Sequence, residues 1–201
     1  MKEYLELFKE KFDATVEDKC SPSNSPYVAY SPVSGVAYTT PVKAQAVDLG
    51  LSVKWASCNI GATFPEDTGD YFAWGEVDPK ENYSLDYKWG EGDFMVTGKP
   101  SKYNIEDKLW ELLPEDDAAH VNWGGKWRMP TNAEYVELIE NCTYERCTLN
   151  GVNGIKMISN INSNWIFFPT TGFITDVEVD SEFNSAYWSK NLFKLSEGSG
   201  Y

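Results

Sequence analysis

Few residues of this chain have the types and spacing that catalysis needs. His120 is the single imidazole, and it follows the acids of Pro114-Glu115-Asp116-Asp117-Ala118-Ala119. A histidine beside carboxylates can act as a base. No nucleophile or metal set accompanies this one, so a structural role is expected. The four cysteines are Cys20, Cys58, Cys142 and Cys147, and none stands in a CxxC pair. With one histidine, that argues against a structural zinc site. One disulfide stays open, and reduced buried thiols are the favoured reading. Two turns crowd three acids each: Glu66, Asp67 and Asp70, then Glu115, Asp116 and Asp117. Ca²⁺ is the one cofactor worth naming. It takes about six to eight oxygens, so each triplet is expected to be solvated surface, and no metal ligand is assigned.

The chemistry of binding is better supplied. Eight Trp and twelve Tyr are many for 201 residues. Large rings build a core from few residues, and they also stack on sugar faces or fill protein grooves. Trp74-Gly75-Glu76 and Tyr187-Trp188-Ser189 are aromatic motifs beside turns, and Trp89 stands in a long loop with Tyr83, Tyr87, Phe94 and Tyr103. Trp74, Glu76, Trp89, Tyr187 and Trp188 are therefore the candidate ligand-binding residues. The competing reading is that the loop rings anchor their own loop. Lys and Arg total 17 against 31 Asp and Glu, a net charge of −14. Such a surface repels phosphate backbones and anionic membranes. A glycan or a protein is the expected partner rather than nucleic acid. No stretch reaches the ~18 apolar residues of a membrane span, so no membrane insertion is expected.

The elements that must position these residues fall into three parts. Residues 1–19 are expected to hold a helix, with Leu5, Phe8 and Phe12 at helical spacing. So short a helix needs a partner, either its own domain or another copy. Charges interrupt this N-terminus every few residues, unlike a secretory signal. No apolar run precedes Cys20 as it would in a lipoprotein. A cell surface and a phage particle both stay open. Residues 20–45 read as a linker, with a hairpin around Pro32-Val33-Ser34-Gly35.

From Ala46 onward the texture is of short strands and turns. Strands are expected at Val53 to Ala56, Ile155 to Ser159, Trp165 to Phe168 and Ala186 to Ser189, and Tyr71 to Trp74 is an apolar run after the turn-prone Asp67-Thr68-Gly69-Asp70. A short helix is expected near Ile105 to Leu112. The best-signalled helix follows Thr131, whose hydroxyl and Glu134 form a capping box. Tyr135, Leu138, Ile139 and Cys142 then share the inner face, and the helix ends at or just after Cys142. Asn150-Gly151 signals a hairpin. One or two helices among short strands and long loops make an α+β domain.

Several ordered motifs resemble one domain family. They are Val47-Asp48-Leu49-Gly50-Leu51-Ser52-Val53-Lys54-Trp55-Ala56, Gly69-Asp70-Tyr71-Phe72-Ala73-Trp74-Gly75-Glu76, Trp123-Gly124-Gly125-Lys126-Trp127-Arg128-Met129-Pro130-Thr131, Asn150-Gly151-Val152-Asn153-Gly154 and Tyr187-Trp188-Ser189. The family is the Fibrobacter-type major paralogous domain of Bacteroidetes. It is similar to the formylglycine-generating-enzyme and sulfatase-modifying-factor group. The resemblance implies a C-type-lectin-like fold over 46–201, clipped or lacking its last strands, since relatives continue further past Tyr-Trp-Ser. The function it implies is a non-catalytic binding module that uses loops and aromatic side chains. Two alternatives stay open: a structural or assembly protein of a phage or surface appendage, self-associating through the N-terminal helix, and an enzyme of the formylglycine-generating kind. The enzyme's reactive cysteine pair near the C-terminus finds no counterpart, because no cysteine follows Cys147.

Overall fold

The computed structural model describes residues 44–83, 87–90, 101–104, 106–174, 179–180 and 185–192. The expected N-terminal helix, the linker up to residue 43 and Phe94 lie outside them.

The described chain is mixed α+β. Two short strands, β1 (Ala46–Val47) and β2 (Trp55–Ala56), pair antiparallel. A 3-10 turn at Pro114–Asp116 leads into α1 (Ala118–Trp123), and α2 spans Asn132–Asn141. Three longer strands follow: β3 (Cys142–Leu149), β4 (Val152–Ser159) and β5 (Trp165–Pro169), an antiparallel sheet in the order β3-β4-β5. Two-residue strands β6 (Phe173–Ile174) and β7 (Val179–Asp180) form a separate pair.

The β3–β4 hairpin turns on Asn150 (φ 50°) and Gly151 (φ 86°), both in the left-handed region that such a tight turn requires. Its register runs from Leu149 opposite Val152 to Cys142 opposite Ser159. Successive strand residues point to opposite faces. Cys142 and Cys147 are an odd number apart on β3, so they face opposite sides of the sheet and belong to different clusters. Cys142 joins Val47, Leu49, Trp55, Leu138, Met157 and Ile166, where β1, β2 and α2 cover the sheet. Cys147 joins Trp165 and Phe167 on the other face. The apolar run Trp165-Ile166-Phe167 is explained by burial on both sides.

α2 carries the expected capping box. The Thr131 hydroxyl accepts from the Glu134 N–H (3.2 Å), and Glu134 accepts from the Thr131 N–H (2.7 Å). The helix ends at Asn141, and Cys142 opens β3 without a loop. Leu138 and Cys142 are buried as expected, but Ile139 is 39% exposed. It lies outside the buried cluster that Leu138 and Cys142 join.

Other expectations need correction. No helix forms at 106–112. Asn104 and Asp107 instead bind one another's backbone N–H groups in a tight turn, and the chain leaves it extended. Asx chemistry here outcompetes the helix. The sequence reading missed α1, whose N-cap is Asp117. Ala186 to Ser189 belongs to no strand, and neither does the apolar run Tyr71 to Trp74, which ends in a turn. Ring donors hold them in place of a ladder, as described below. Cys58 and Cys142 are reduced and buried, whereas Cys147 is disulfide-bonded, so the reduced-thiol expectation holds for the first two only.

Candidate functional site

The segment 71–75 is the pivot of the aromatic region. Four of its carbonyls are taken by ring donors from elsewhere. Tyr83 Oη donates to Tyr71 (2.6 Å), Trp188 Nε1 to Phe72 (2.8 Å), Tyr87 Oη to Trp74 (2.8 Å) and Trp89 Nε1 to Gly75 (3.1 Å). The fifth, Ala73, accepts from the Glu76 N–H to close a turn. Backbone acceptors partly withdrawn from water need partners, and here the polar tips of rings serve where a neighbouring strand ordinarily would. Trp74 returns the contact by donating Nε1 to the Ser189 carbonyl (2.9 Å). Tyr187 donates to Pro169 (3.0 Å) and its ring meets Phe168 edge-on at 5.0 Å.

Beneath this clasp lies a charged hub. Asp116 is 2% exposed and accepts from Lys88 Nζ (2.8 Å), from Lys102 Nζ and from Tyr103 Oη (2.6 Å). Burial alone would raise its pKa, but these three donors outweigh it and hold the carboxyl below its ordinary value. Both ammonium groups also lie over the Trp89 ring, at 4.4 and 4.9 Å from its centroid. Trp74 and Trp89 each meet the buried Tyr103 ring edge-on. Asp117 is buried too and accepts from the N–H groups of His120 and Met129. The acids at 116 and 117 are therefore internal struts, a correction to the solvated turn read from sequence. His120 itself sits with Nδ1 3.1 Å from the Trp127 carbonyl oxygen.

The five sequence-derived candidates are thus brought into one region but into unequal settings. Glu76 is 8% exposed, with its carboxylate on Lys80 Nζ and the Lys88 N–H. Trp74, Trp89 and Tyr187 are half-buried, and all three are engaged as above. Trp188 is 49% exposed, yet fixed: its indole N–H holds Phe72 and its carbonyl accepts from Tyr135 Oη (3.4 Å). The other acid triplet does not converge. Glu66 accepts from Asn150 and Asp67 caps the Thr63 and Phe64 N–H groups. Among the described residues, no three His, Cys, Asp or Glu side chains gather to hold a metal ion, and no helix is long and apolar enough to cross a membrane.

Beyond Trp188 the chain runs between α2 and residues 110–112. Lys190 N–H donates to Pro130, Leu112 N–H to Lys190 and Leu192 N–H to Trp110. Beside this strip opens a groove of about 550 Å³, lined by Trp110, Glu111, Thr131, Asn132, Ala133, Asn191 and Leu192. Three segments far apart in sequence make it, which is why no motif announced it. No family model, curated protein or solved structure matches the chain.

Proposed function

We propose that this is a non-catalytic binding module of the C-type-lectin-like kind, as the resembling motifs imply, and that its ligand, a glycan or a protein, meets the surface around Trp188. The observation that carries the reading is the state of that ring. A large aromatic surface left half open to water, with its indole N–H on the Phe72 carbonyl and its own backbone carbonyl accepting from Tyr135, loses little conformational freedom when a ligand covers it. Around it, Trp74 donates to the Ser189 carbonyl, Trp89 to Gly75 and Tyr187 to Pro169, while Glu76 accepts from Lys80 and the Lys88 N–H. The experiment is a screen of the full chain against immobilised glycans and candidate surface proteins, repeated with Trp188→Ala. A ligand retained by the wild type and released by the variant supports the proposal. A ligand held equally by both refutes the assigned surface.

A further inference from the structure

We infer that the outer face of the β3-β4-β5 sheet is the seat of the chain's own N-terminal segment, residues 1–43, fastened there by a disulfide between Cys20 and Cys147. On this face Trp165, Phe167 and Cys147 are 6%, 4% and 1% exposed. Leu149 and Ile158 pack against them, so every member of the cluster comes from the sheet itself. The described elements that cover the sheet, β1, β2 and α2, lie on the opposite face with Leu138, Cys142 and Met157. A single layer of strands cannot bury large rings on both of its faces; a further layer must lie on each. The layer on the outer face is therefore a part of the chain outside the described residues. The rings are buried within one chain, so no second copy is needed to cover them.

Cysteine arithmetic selects the segment. The chain holds four cysteines; Cys58 and Cys142 are free, and Cys147 is disulfide-bonded. That leaves Cys20 as its partner within the chain. The other segments outside the described residues, 84–86, 91–100, 105, 175–178, 181–184 and 193–201, contain no cysteine. The linker reaches easily. From Cys20 to Ala44 an extended chain spans up to about 80 Å, against about 10 Å between packed layers. The apolar stripe of Leu5, Phe8 and Phe12 supplies side chains of the kind this face takes. The bond forms by exchange. The two thiols hand two electrons and two protons to an external disulfide such as oxidised glutathione, which leaves as two thiols. The fastened state therefore requires an oxidising compartment.

The test uses the full chain, oxidised with glutathione. Free thiols are blocked with N-ethylmaleimide in denaturant, and trypsin then cuts after Lys19 and Arg146, directly before the two cysteines. The expected product in the mass spectrum is peptide 20–43 joined to peptide 147–156, with maleimide on Cys58 and Cys142. Hydroxyl-radical footprinting of the native sample should label Trp165 far less than Trp188, which is 49% exposed. Cys20→Ser should lower the melting temperature by about 5 °C or more. Maleimide on both Cys20 and Cys147 overturns the inference, as does a link from Cys20 to Cys58 or Cys142, or one that joins two chains. Labelling of Trp165 as fast as Trp188 shows the face open and overturns it as well. A Cys20→Ser variant that melts with the wild type shows that the bond fastens nothing. All of these outcomes leave the Trp188 reading standing or falling by its own experiment.

Discussion

Asp116 ties three side chains of the aromatic region together. Its carboxylate joins Lys88, Lys102 and Tyr103, and through them fixes Trp89. Asp116→Ala leaves the Tyr103 hydroxyl without its acceptor and the part-exposed Lys88 without its acid partner, while Lys102 keeps Glu115 at 3.9 Å. Losing a buried acceptor of this kind costs about 1–3 kcal/mol, readable by urea unfolding, and a loss near zero would dismiss the hub. Glu134 makes a second test, on pH. The hydrogen bonds from Arg128 hold its pKa down to about 2 from an ordinary 4.5, against the opposing effect of burial. A carboxyl depressed in the folded state adds stability that is complete above its unfolded value and is lost as pH falls through the folded one. Stability should therefore decline from pH 4.5 towards about 2, and Glu134→Gln should flatten part of that decline. An unchanged slope would show that the Arg128 contact is not kept in solution.

Among the elements, α2 and the 71–75 segment show what sequence reading reaches and what it does not. The capping box at Thr131 and Glu134 and the Asn150-Gly151 turn are local chemistry, complete within a few residues, and both are legible directly. Thr131→Ala should cost about 0.5–2 kcal/mol, and a null change in melting would contradict the cap. The 71–75 segment shows in sequence only as an apolar run before Gly75. Its partners are ring tips from 83, 87, 89 and 188, a pairing that no periodicity encodes. Asp116 was equally hidden, since three adjacent acids look solvated until Lys88, Lys102 and Tyr103 arrive. Gly75 marks how tight this clasp is. Its φ is 77°, and a Cβ there would stand 2.7 Å from Trp89 Nε1. Gly75→Ala should cost about 1–3 kcal/mol through strain and displacement of Trp89, seen as lower melting and altered tryptophan fluorescence. Retention of the wild-type fluorescence would mean that Trp89 is not seated on Gly75.

For the whole molecule, the aromatic richness that marks the sequence serves two ends. Most of the candidate rings hold extended loops to an α+β core, and Trp188 is left facing water in a fixed pose. The class α+β was readable from short strands and one strong helix. The candidate residues stood in readable motifs, but which of them are buried was not readable, because burial of Glu76 depends on Lys80 and on the Lys88 backbone folding over it. The groove was unreadable for the same reason, being assembled from 110–111, 131–133 and 191–192. The most direct measurement is the dissociation constant of wild type and Trp188→Ala for a ligand retained in the glycan and protein screen, with melting recorded on the same samples. The account predicts an affinity loss of about tenfold or more in a variant that still unfolds cooperatively, with melting lowered by no more than the loss of the one hydrogen bond to Phe72. Equal affinity in the two proteins, or a Trp188→Ala variant that unfolds, would contradict it.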